Sequence, residues 1–292
     1  MSHLTDTERL TVTSPRRRPR RRTRYNVPAG IGGFLWLAVI VLPIYYVIVS
    51  SLRSQAGFFA SNPLDIPANP TFENYWVVLQ NDFFVFFRNS AVITVVAVVA
   101  TVAVSLMAAY AIVRGTGWFQ RTSFSLFLLG LSIPTHATLI PLYWMITRMH
   151  LYDSLAALIL PAVGFSIPLT VLILSNFVRD IPKELYESMR LDGAGDWRIL
   201  WRLVIPLSRP AVVTVAIYNA MNVWNSFLFP LIFTQSASKR VLPMALWAFQ
   251  GEFSSNVPAI LAAVVLSTLP MFAAYIFGRR YLVSGLTAGF SK

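Results

Sequence analysis

Six long apolar stretches limit what this 292-residue chain can fold into more than any other feature of its sequence. A helix that crosses a lipid bilayer needs about 20 apolar residues with few or no charges. Six stretches qualify without an Asp, Glu, Lys or Arg in their interiors, at about residues 30–50, 89–113, 123–146, 154–178, 210–234 and 257–278. The sequence therefore predicts an all-α membrane protein with six transmembrane helices.

Composition agrees with that prediction and excludes several classes of site. Only 12% of the residues are charged, about half the share found in soluble domains, and the mean hydropathy is +0.61. The chain contains no cysteine, which excludes disulfides and thiolate metal sites. Its histidines are scattered without the spacing of metal ligands, so we expect no metal site; they are His3, His136 and His150.

The positive charge of the chain is concentrated in an N-terminal tail and in the loops. The net charge is +12, and seven arginines crowd residues 16–24. Because no basic face of a folded domain accompanies them, we expect no nucleic-acid partner. The apolar run at 30–50 is too long for a signal peptide and no small-residue cleavage site follows it, which predicts a retained membrane anchor.

Lysines and arginines predict the orientation in the membrane, because cytoplasmic loops carry an excess of them. With the N-terminus inside, 19 of the 24 lie in cytoplasmic segments and five lie outside, namely Arg53, Arg88, Arg148, Lys239 and Arg240. We therefore expect a multi-pass protein of the cytoplasmic membrane with both termini in the cytoplasm. It would consist of a basic tail (1–28), a six-helix transmembrane domain (29–278) and a C-terminal tail (279–292).

Residues 184–206, ELYESMRLDGAGDWRILWRLVIP, form the most charged amphipathic segment beyond the N-terminal tail. They lie between the fourth and fifth predicted spans. Asp180 is expected to cap a first short helix, with Pro182 in its first turn. The apolar face of this helix is expected to consist of Ile181, Leu185 and Met189. Gly193 then offers a stop.

A second short helix is expected to begin at Asp196 and to end at Pro206. Its pattern predicts two arginines, Arg198 and Arg202, on one face and an opposite apolar face formed by Trp197, Leu200, Trp201 and Val204. The two helices, which we call the coupling hairpin (180–206), are too polar to span a bilayer and too apolar to remain solvated. They must pack against the bilayer surface, the rest of the protein or a partner.

The hairpin resembles the cytoplasmic EAA loop of ABC-transporter permeases, the membrane subunits of binding-protein-dependent importers. The family pattern is Glu-Ala-Ala, three residues, Gly, nine residues, Ile, one residue and Leu-Pro. The residues at that spacing here are Glu187, Gly193, Leu203, Ile205 and Pro206. Ser188 and Met189 replace the two alanines, and Leu and Ile exchange places near the end.

Other segments resemble the carbohydrate-uptake branch of that family, specifically the partner permease of the maltose type. They are NPTFENYW in the first external loop, Trp224-Asn225 and Phe229-Pro230 in the fifth span, and the run from Gly285 to Gly289. The resemblance implies a heterodimer with a second permease subunit, two cytoplasmic ATPase subunits and an extracytoplasmic sugar-binding protein, besides membrane lipid. It also implies that the hairpin inserts as a coupling helix into a cleft of the ATPase.

The chain lacks the Gly-x-x-x-x-Gly-Lys-Ser/Thr phosphate loop of ATPases. We therefore expect no enzymatic activity and no cofactor in this chain, with ATP and Mg bound by the ATPase subunits. The hairpin would receive the motion that ATP drives. The predicted coupling residues are Glu184, Glu187, Met189, Arg190, Asp192, Gly193, Ala194, Trp197, Arg198, Leu200 and Trp201. The alternative is a hairpin that packs only on its own membrane domain.

The six spans contain no Asp, Glu, Lys or Arg in their interiors, which argues against proton or sodium coupling because carriers of that kind generally keep charged groups within the membrane. The fifth span instead contains a cluster of neutral polar side chains together with one tryptophan. We predict that they form a substrate pathway suited to sugar hydroxyls, consisting of Tyr218, Asn219, Asn222, Trp224 and Asn225. The alternative is hydrogen bonding between helices, worth ~0.6 kcal/mol per contact.

The sequence thus predicts a permease subunit of an ATP-driven ABC importer for a sugar or oligosaccharide. One alternative is a permease of the same superfamily for another solute, such as a polyol phosphate, which would call for cationic groups near the pathway. A second alternative is a stand-alone facilitator or channel, which would leave the hairpin without a role.

Overall fold

The computed structural model describes residues 27–244 and 255–288, with side chains as far as Ile276. The predicted basic tail falls outside this range except for its last two residues, and so does the end of the chain after Ala288. The described residues up to Ile44 form one compact unit, and those from Tyr45 onward form a second. The elements that carry the candidate site all belong to the second unit.

Within the described ranges, four helices are long and apolar enough to cross a membrane, which confirms the expected all-helical architecture with apolar spans. They are α1 (Val27–Ser51), α4 (Phe83–Arg114), α7 (Ala156–Arg179) and α13 (Val257–Ala288). Helix α13 continues well past the predicted domain boundary at residue 278. Two short helices, α2 (Gln55–Ala60) and α3 (Glu73–Gln80), lie between α1 and α4.

The third predicted span, 123–146, is not one helix. Helix α5 (Trp118–Gly130) is followed by a 3₁₀ turn (Thr135–Thr138) and by α6 (Leu139–Arg148), and the two halves meet at 92°. Pro134 explains the break, because it lacks an amide N–H and keeps the preceding residue out of the helical region. The third apolar stretch is therefore a bent pair of helices rather than one continuous helix.

The fifth predicted span, 210–234, is also interrupted. Helix α11 (Arg209–Trp224) is followed by the three residues 225–227, and then by α12 (Leu228–Phe233). The ring of Pro230 would clash with the carbonyl group of Ser226 in a continuous helix, which forces the break between them. A proline therefore interrupts the fifth apolar stretch as one does the third.

The coupling hairpin folds as α8 (Lys183–Leu191), α9 (Asp196–Ile199), a π-helical turn (Leu200–Val204) and α10 (Ile205–Leu207). The Gly193 N–H donates to the carbonyl of Arg190 (3.0 Å), and the Ala194 N–H donates to that of Met189 (2.9 Å). This is the Schellman pattern, which needs a left-handed residue after the helix. Gly193 supplies it with φ of +72°.

Asp180 does not cap α8, contrary to the sequence prediction. It terminates α7, where its N–H donates to the carbonyl of Asn176 at 3.2 Å. Pro182 stands between the two helices and has an extended ψ of 136°. Because the residue before a proline avoids the helical region, α8 can begin only after Pro182.

The hairpin packs on the end of the bundle through only part of the predicted apolar faces. Ile181, Leu200 and Val204 are buried as expected. Tyr186, rather than Leu185, is the buried residue of α8, whereas Trp197 and Trp201 are exposed. Hairpin residues form a buried apolar cluster with residues of α4, α7 and α11, and we call this cluster the hairpin core. Its fully buried members include Leu174, Val178, Tyr186, Ile199, Val204, Ala211 and Val215.

The loop that follows α12 is anchored at the opposite end of the bundle. The hydroxyl of Ser236 and the backbone N–H of the same residue both donate to the Asp153 carboxylate, and they lower the pKa of Asp153. The side-chain amide of Asn89 donates to the carbonyls of Ser238 (2.8 Å) and Arg240 (2.9 Å). These contacts tie the loop to α4 and to the start of α7.

Gly193 and Gly195 provide a matched test of the hairpin turn. A Cβ atom would meet nothing within 4 Å at either position, but only Gly193 has a positive φ. We expect Gly193→Ala to destabilise the hairpin by about 1–2 kcal/mol, the cost of a left-handed residue with a side chain. Gly195→Ala should be neutral or slightly stabilising. Thermal unfolding of the purified chain in detergent measures both, and equal shifts would contradict the assigned turn.

Candidate functional site

A cleft of about 360 Å³ opens between α7, the broken third span and the broken fifth span. We call it the central cleft. Several of its lining residues belong to the two interruptions: Leu131, Ile133 and Thr135 in the third span, and Ser226 and Phe229 in the fifth. Irregular backbone at membrane depth is tolerated only where protein buries it or where it lines an aqueous cavity. The position of the cleft therefore accounts for both breaks.

Three of the five predicted pathway residues line the central cleft: Tyr218, Asn219 and Asn222. Asn219 is buried and donates from Nδ2 to the Thr170 hydroxyl of α7 at 2.9 Å. Asn222 and Tyr218 are exposed one turn apart, and the Asn222 amide donates to the Tyr218 carbonyl at 2.9 Å. Both side chains thus contribute neutral polar groups to the lining of the cleft.

Aromatic rings form the other part of the cleft wall. Phe165 of α7 and Phe229 of α12 stack with centroids 5.9 Å apart and an interplanar angle of 25°. The hydroxyls of Ser166 and Thr135 lie on the same lining. Among the described residues that line the cleft, none is charged. Such a wall suits a neutral ligand with hydroxyl groups and apolar ring faces.

Trp224 and Asn225 are placed outside the central cleft. Trp224 is buried, contacts the Phe87 ring edge-on at 5.8 Å and donates from Nε1 to the carbonyl of Ser267 at 3.2 Å. Asn225 ends α11 and donates its amide to the Met221 carbonyl at 2.9 Å. The Trp224 contacts join α11 to α4 and α13, as the structural alternative for the fifth span expects. The Asn225 bond stays within α11.

Gly130 keeps the third and fourth spans close at the edge of the cleft. A Cβ atom at this position would lie 2.8 Å from Cγ of Pro168. Because Pro168 is inside α7 and its ring cannot move far, a larger residue at 130 would push α5 away from α7. The width of the cleft at this point depends on a residue without a side chain.

The coupling hairpin presents an aromatic surface away from the bundle. Trp197 and Trp201 are 63% and 55% exposed and pack edge-to-face with centroids 5.9 Å apart. Leu191, at the end of α8, is 90% exposed. The predicted charged and turn residues on the outer surface are Glu184, Glu187, Arg190, Asp192, Gly193 and Arg198. Large exposed apolar groups rimmed by charge are typical of a protein interaction site.

Three predicted coupling residues point the other way. Ala194 and Leu200 are buried in the hairpin core, and Met189 packs against it. These side chains connect the hairpin to α4, α7 and α11 within the chain. The outer face and the inner face of the hairpin therefore have separate roles.

Asp196 connects the hairpin to α4 through hydrogen bonds. The Tyr110 hydroxyl donates to its Oδ1 at 2.9 Å, and the Arg190 guanidinium donates to the same oxygen at 3.2 Å. Both bonds stabilise the carboxylate, the Tyr110 bond most, and they lower the pKa of Asp196. A second contact places the Arg114 guanidinium 4.2 Å from the centroid of the Tyr186 ring.

Sequence reasoning missed several of these residues. Tyr110 and Tyr186 have phenol groups that occupy apolar positions, and their roles depend on which elements meet at the hairpin core. Tyr186 of α8 lies eight residues after the buried Val178 of α7, and its hydroxyl donates to the Val178 carbonyl at 3.3 Å. Phe165 gave no distinguishing signal, because phenylalanine is common throughout the spans.

Comparison with known proteins agrees with this architecture. Residues 101–286 match the family described as the binding-protein-dependent transport system inner membrane component. The chain belongs to this family. It is 38% identical over 258 residues to an ABC transporter permease protein, ORF2, of Caldicellulosiruptor sp. (strain Rt8B.4), covering 88% of this chain and 94% of the relative.

Two further comparisons extend this result. The chain is 32% identical to the trehalose/maltose transport system permease protein MalG of Thermococcus litoralis, with 90% of this chain and 95% of the relative covered. It also matches a chain in the crystal structure of a bacterial ABC transporter that imports the acidic polysaccharide alginate, with a TM-score of 0.78 and 22% identity. That match covers 89% of this chain and 98% of the other, and it shows a shared fold.

The link between Tyr110 and Asp196 predicts a pH-dependent stability. We expect Tyr110→Phe to lower the stability at pH 7 by about 0.5–1 kcal/mol, a small value because Asp196 is largely exposed. A lowered folded-state pKa means that the carboxylate stabilises the fold above the ordinary aspartate pKa of about 3.9 and loses that effect as the pH falls through the folded value. The difference between wild type and variant should therefore shrink on acidification.

Thermal unfolding in detergent at a series of pH values measures this difference. Tyr143→Phe is the matched control, since no hydrogen bond of the Tyr143 hydroxyl occurs within the described part of the chain. A Tyr110→Phe difference that stays constant with pH would contradict the assigned bond to the Asp196 carboxylate.

Proposed function

We propose that this chain is the permease subunit of an ATP-driven importer that moves a sugar or oligosaccharide across the cytoplasmic membrane. The observation that supports this most is the neutral central cleft at the breaks of two spans, in a chain that belongs to the inner membrane component family. The trehalose/maltose and diacetylchitobiose permeases among its relatives are named for sugar transport.

The lining of the cleft favours a neutral solute over an anionic one. Amide and hydroxyl groups of Asn222, Tyr218, Ser166 and Thr135 would exchange hydrogen bonds with sugar hydroxyls, and the stacked phenylalanines would contact the apolar faces of a sugar ring. A polyol phosphate would leave its charge uncompensated by the described lining residues. The volume of about 360 Å³ lies within the range of about 300–1,000 Å³ common for ligand sites.

In the proposed topology, α5 with α6 and α11 with α12 each serve as one span, which gives six spans with α1, α4, α7 and α13. The hairpin end of the bundle carries Arg114, Arg121 and Arg179. The hairpin itself adds further basic side chains, namely Lys183, Arg190, Arg198 and Arg202. By the positive-inside rule this end faces the cytoplasm, and both termini lie on the same side.

The proposed complex contains a second permease subunit, two cytoplasmic ATPase subunits and an extracytoplasmic sugar-binding protein. ATP and Mg would be bound by the ATPase subunits. Trp197 and Trp201 would anchor the hairpin in the ATPase, since exposed aromatic pairs are the usual centre of such contacts. Glu184, Glu187 and Arg198 would orient it.

Continuity of the chain provides the path from hairpin to cleft. Helix α7 ends at Arg179, directly before the hairpin, and α11 begins at Arg209, directly after it. Both helices line the cleft, α7 through Ala162 to Leu169 and α11 through Tyr218 to Val223. A displacement of the hairpin by the ATPase would move both walls because the hairpin core packs all three elements together. The nucleotide state would then favour one of two arrangements of the bundle.

Trp201→Ala tests the outer face of the hairpin. We expect it to reduce binding-protein-stimulated ATP hydrolysis of the reconstituted complex roughly 30-fold, which corresponds to the loss of about 2 kcal/mol at an aromatic anchor. Trp144→Ala, on α6, removes an indole of similar exposure (60%) far from the hairpin and should leave hydrolysis near the wild-type rate. Equal rates in the two variants would refute the coupling role of the tryptophan pair.

Asn222→Leu and Asn225→Leu test the cleft. Each replaces an amide on α11 that donates to a carbonyl four residues earlier, but only Asn222 lines the cleft. We expect Asn222→Leu to reduce sugar uptake in proteoliposomes roughly tenfold, the value of about one hydrogen bond, with assembly unchanged. Asn225→Leu should retain uptake; the reverse pattern would move the pathway to the end of α11.

A further inference from the structure

A second, smaller pocket lies at the hairpin end of the bundle, well away from the central cleft. It has a volume of about 320 Å³ and is enclosed by the end of α4, the turn 115–117, the first turns of α5 and the last residue of α7. We call it the arginine pocket. Its polar lining includes Thr116, Gln120, Arg121 and Arg179. None of these residues has a role in the proposed transport function.

Two cationic side chains from separate helices converge on this pocket. Arg121 comes from α5 and Arg179 from the end of α7, and no acidic residue is among the described residues that line it. Within the described part of the chain, neither Arg121 nor Arg179 forms an ion pair within 4 Å. The ion pair found there joins Arg190 to Asp196. Two guanidinium groups and a neighbouring hydroxyl form a donor set that fits a phosphate anion.

The turn that forms one wall of the pocket has a fixed shape. The backbone N–H of Gly117 donates to Oε1 of Gln120 at 3.0 Å. The aliphatic part of the Gln120 side chain lies so close to Gly115 that a Cβ atom there would meet it at 2.3 Å. The wall therefore keeps its form by local packing, and the opening between α4 and α7 is maintained without an occupant.

The surroundings of the pocket identify the source of the phosphate. Trp118 and Phe119, beside Arg121 in sequence, are 78% and 70% exposed, and aromatic residues of this kind mark the membrane–water interface. Ile112 and Phe124 give the pocket an apolar side. A soluble anion would use only the arginines, whereas a phospholipid would also use the apolar wall and the adjacent bilayer. Basic pockets between spans at this depth bind lipid headgroups.

We propose that the arginine pocket binds the headgroup of an anionic phospholipid, with Arg121 and Arg179 as its phosphate ligands. Arg179 is the last residue of α7, so the lipid would hold the root of the coupling hairpin against the turn between α4 and α5. This site does not depend on the identity of the transported solute. It requires only that this end of the bundle lies at the membrane surface.

Native mass spectrometry of the purified full-length chain tests the proposal, with dioleoyl phosphatidylglycerol and dioleoyl phosphatidylcholine added in equal amounts. The double variant Arg121→Gln, Arg179→Gln should bind phosphatidylglycerol roughly 30-fold more weakly, about fivefold for each arginine. The matched control is Arg202→Gln, Arg209→Gln, which removes the same charge from exposed positions at the same end. It should retain most of the phosphatidylglycerol affinity, because Arg121 and Arg179 of the pocket are unchanged.

Three results would overturn the proposal. Equal losses in the double variant and in the control would show that only surface charge attracts the lipid. Equal binding of the two lipids by the wild type would exclude a site selective for an anionic headgroup. Binding of soluble glycerol phosphate as tight as that of phosphatidylglycerol would assign the pocket to a free phosphate. If the double variant does not fold, the two single variants replace it. Each is expected to bind phosphatidylglycerol about fivefold more weakly than the wild type.

Discussion

The requirement that every backbone polar group in a membrane be satisfied governs the rest of this structure. Pro134 and Pro230 each interrupt a span, and the carbonyls that they free need water or protein as partners. Both interruptions face the same cleft beside α7, where water can reach them. The cleft is thus the place where a broken helix is allowed, and the proposed solute path and the two breaks have a common physical origin.

The hairpin core carries the second constraint, since it attaches a polar element to the end of an apolar bundle. Ile199, Leu200 and Val204 fill the space between α4, α7 and α11, while hydrogen bonds from Tyr110 and Arg190 hold Asp196 at the rim. Burial supplies most of the attachment energy, and the polar contacts fix its register. Such an element is packed against three helices at once, which is the property that the proposed coupling segment needs.

Apolar periodicity predicted the hairpin helices and the buried Leu200 and Val204, but it placed Trp197 and Trp201 on the same face. Trp197 and Trp201 were grouped with Leu200 because all three are apolar, yet they lie on the outer side. The π-helical turn that begins at Leu200 shifts the phase of the helix, so that Ile199, Leu200 and Val204 point inward together. The apolar face of this helix is wide enough to offer two candidate inner sides. Only the shape of the surface on which the helix packs selects one of them.

The sequence by itself determined the positions of the apolar segments, the glycine turn at Gly193, the spacing that resembles the EAA loop, and the neutral character of the fifth span. Each of these is a local property: length, charge or the need for a left-handed residue. Only the tertiary structure decided that Asn222 lines the cleft while Trp224 packs against Phe87, and that Arg121 meets Arg179 across two helices. In a membrane, lipid and protein interior are equally apolar, so the pattern along a span does not reveal which side faces a neighbour.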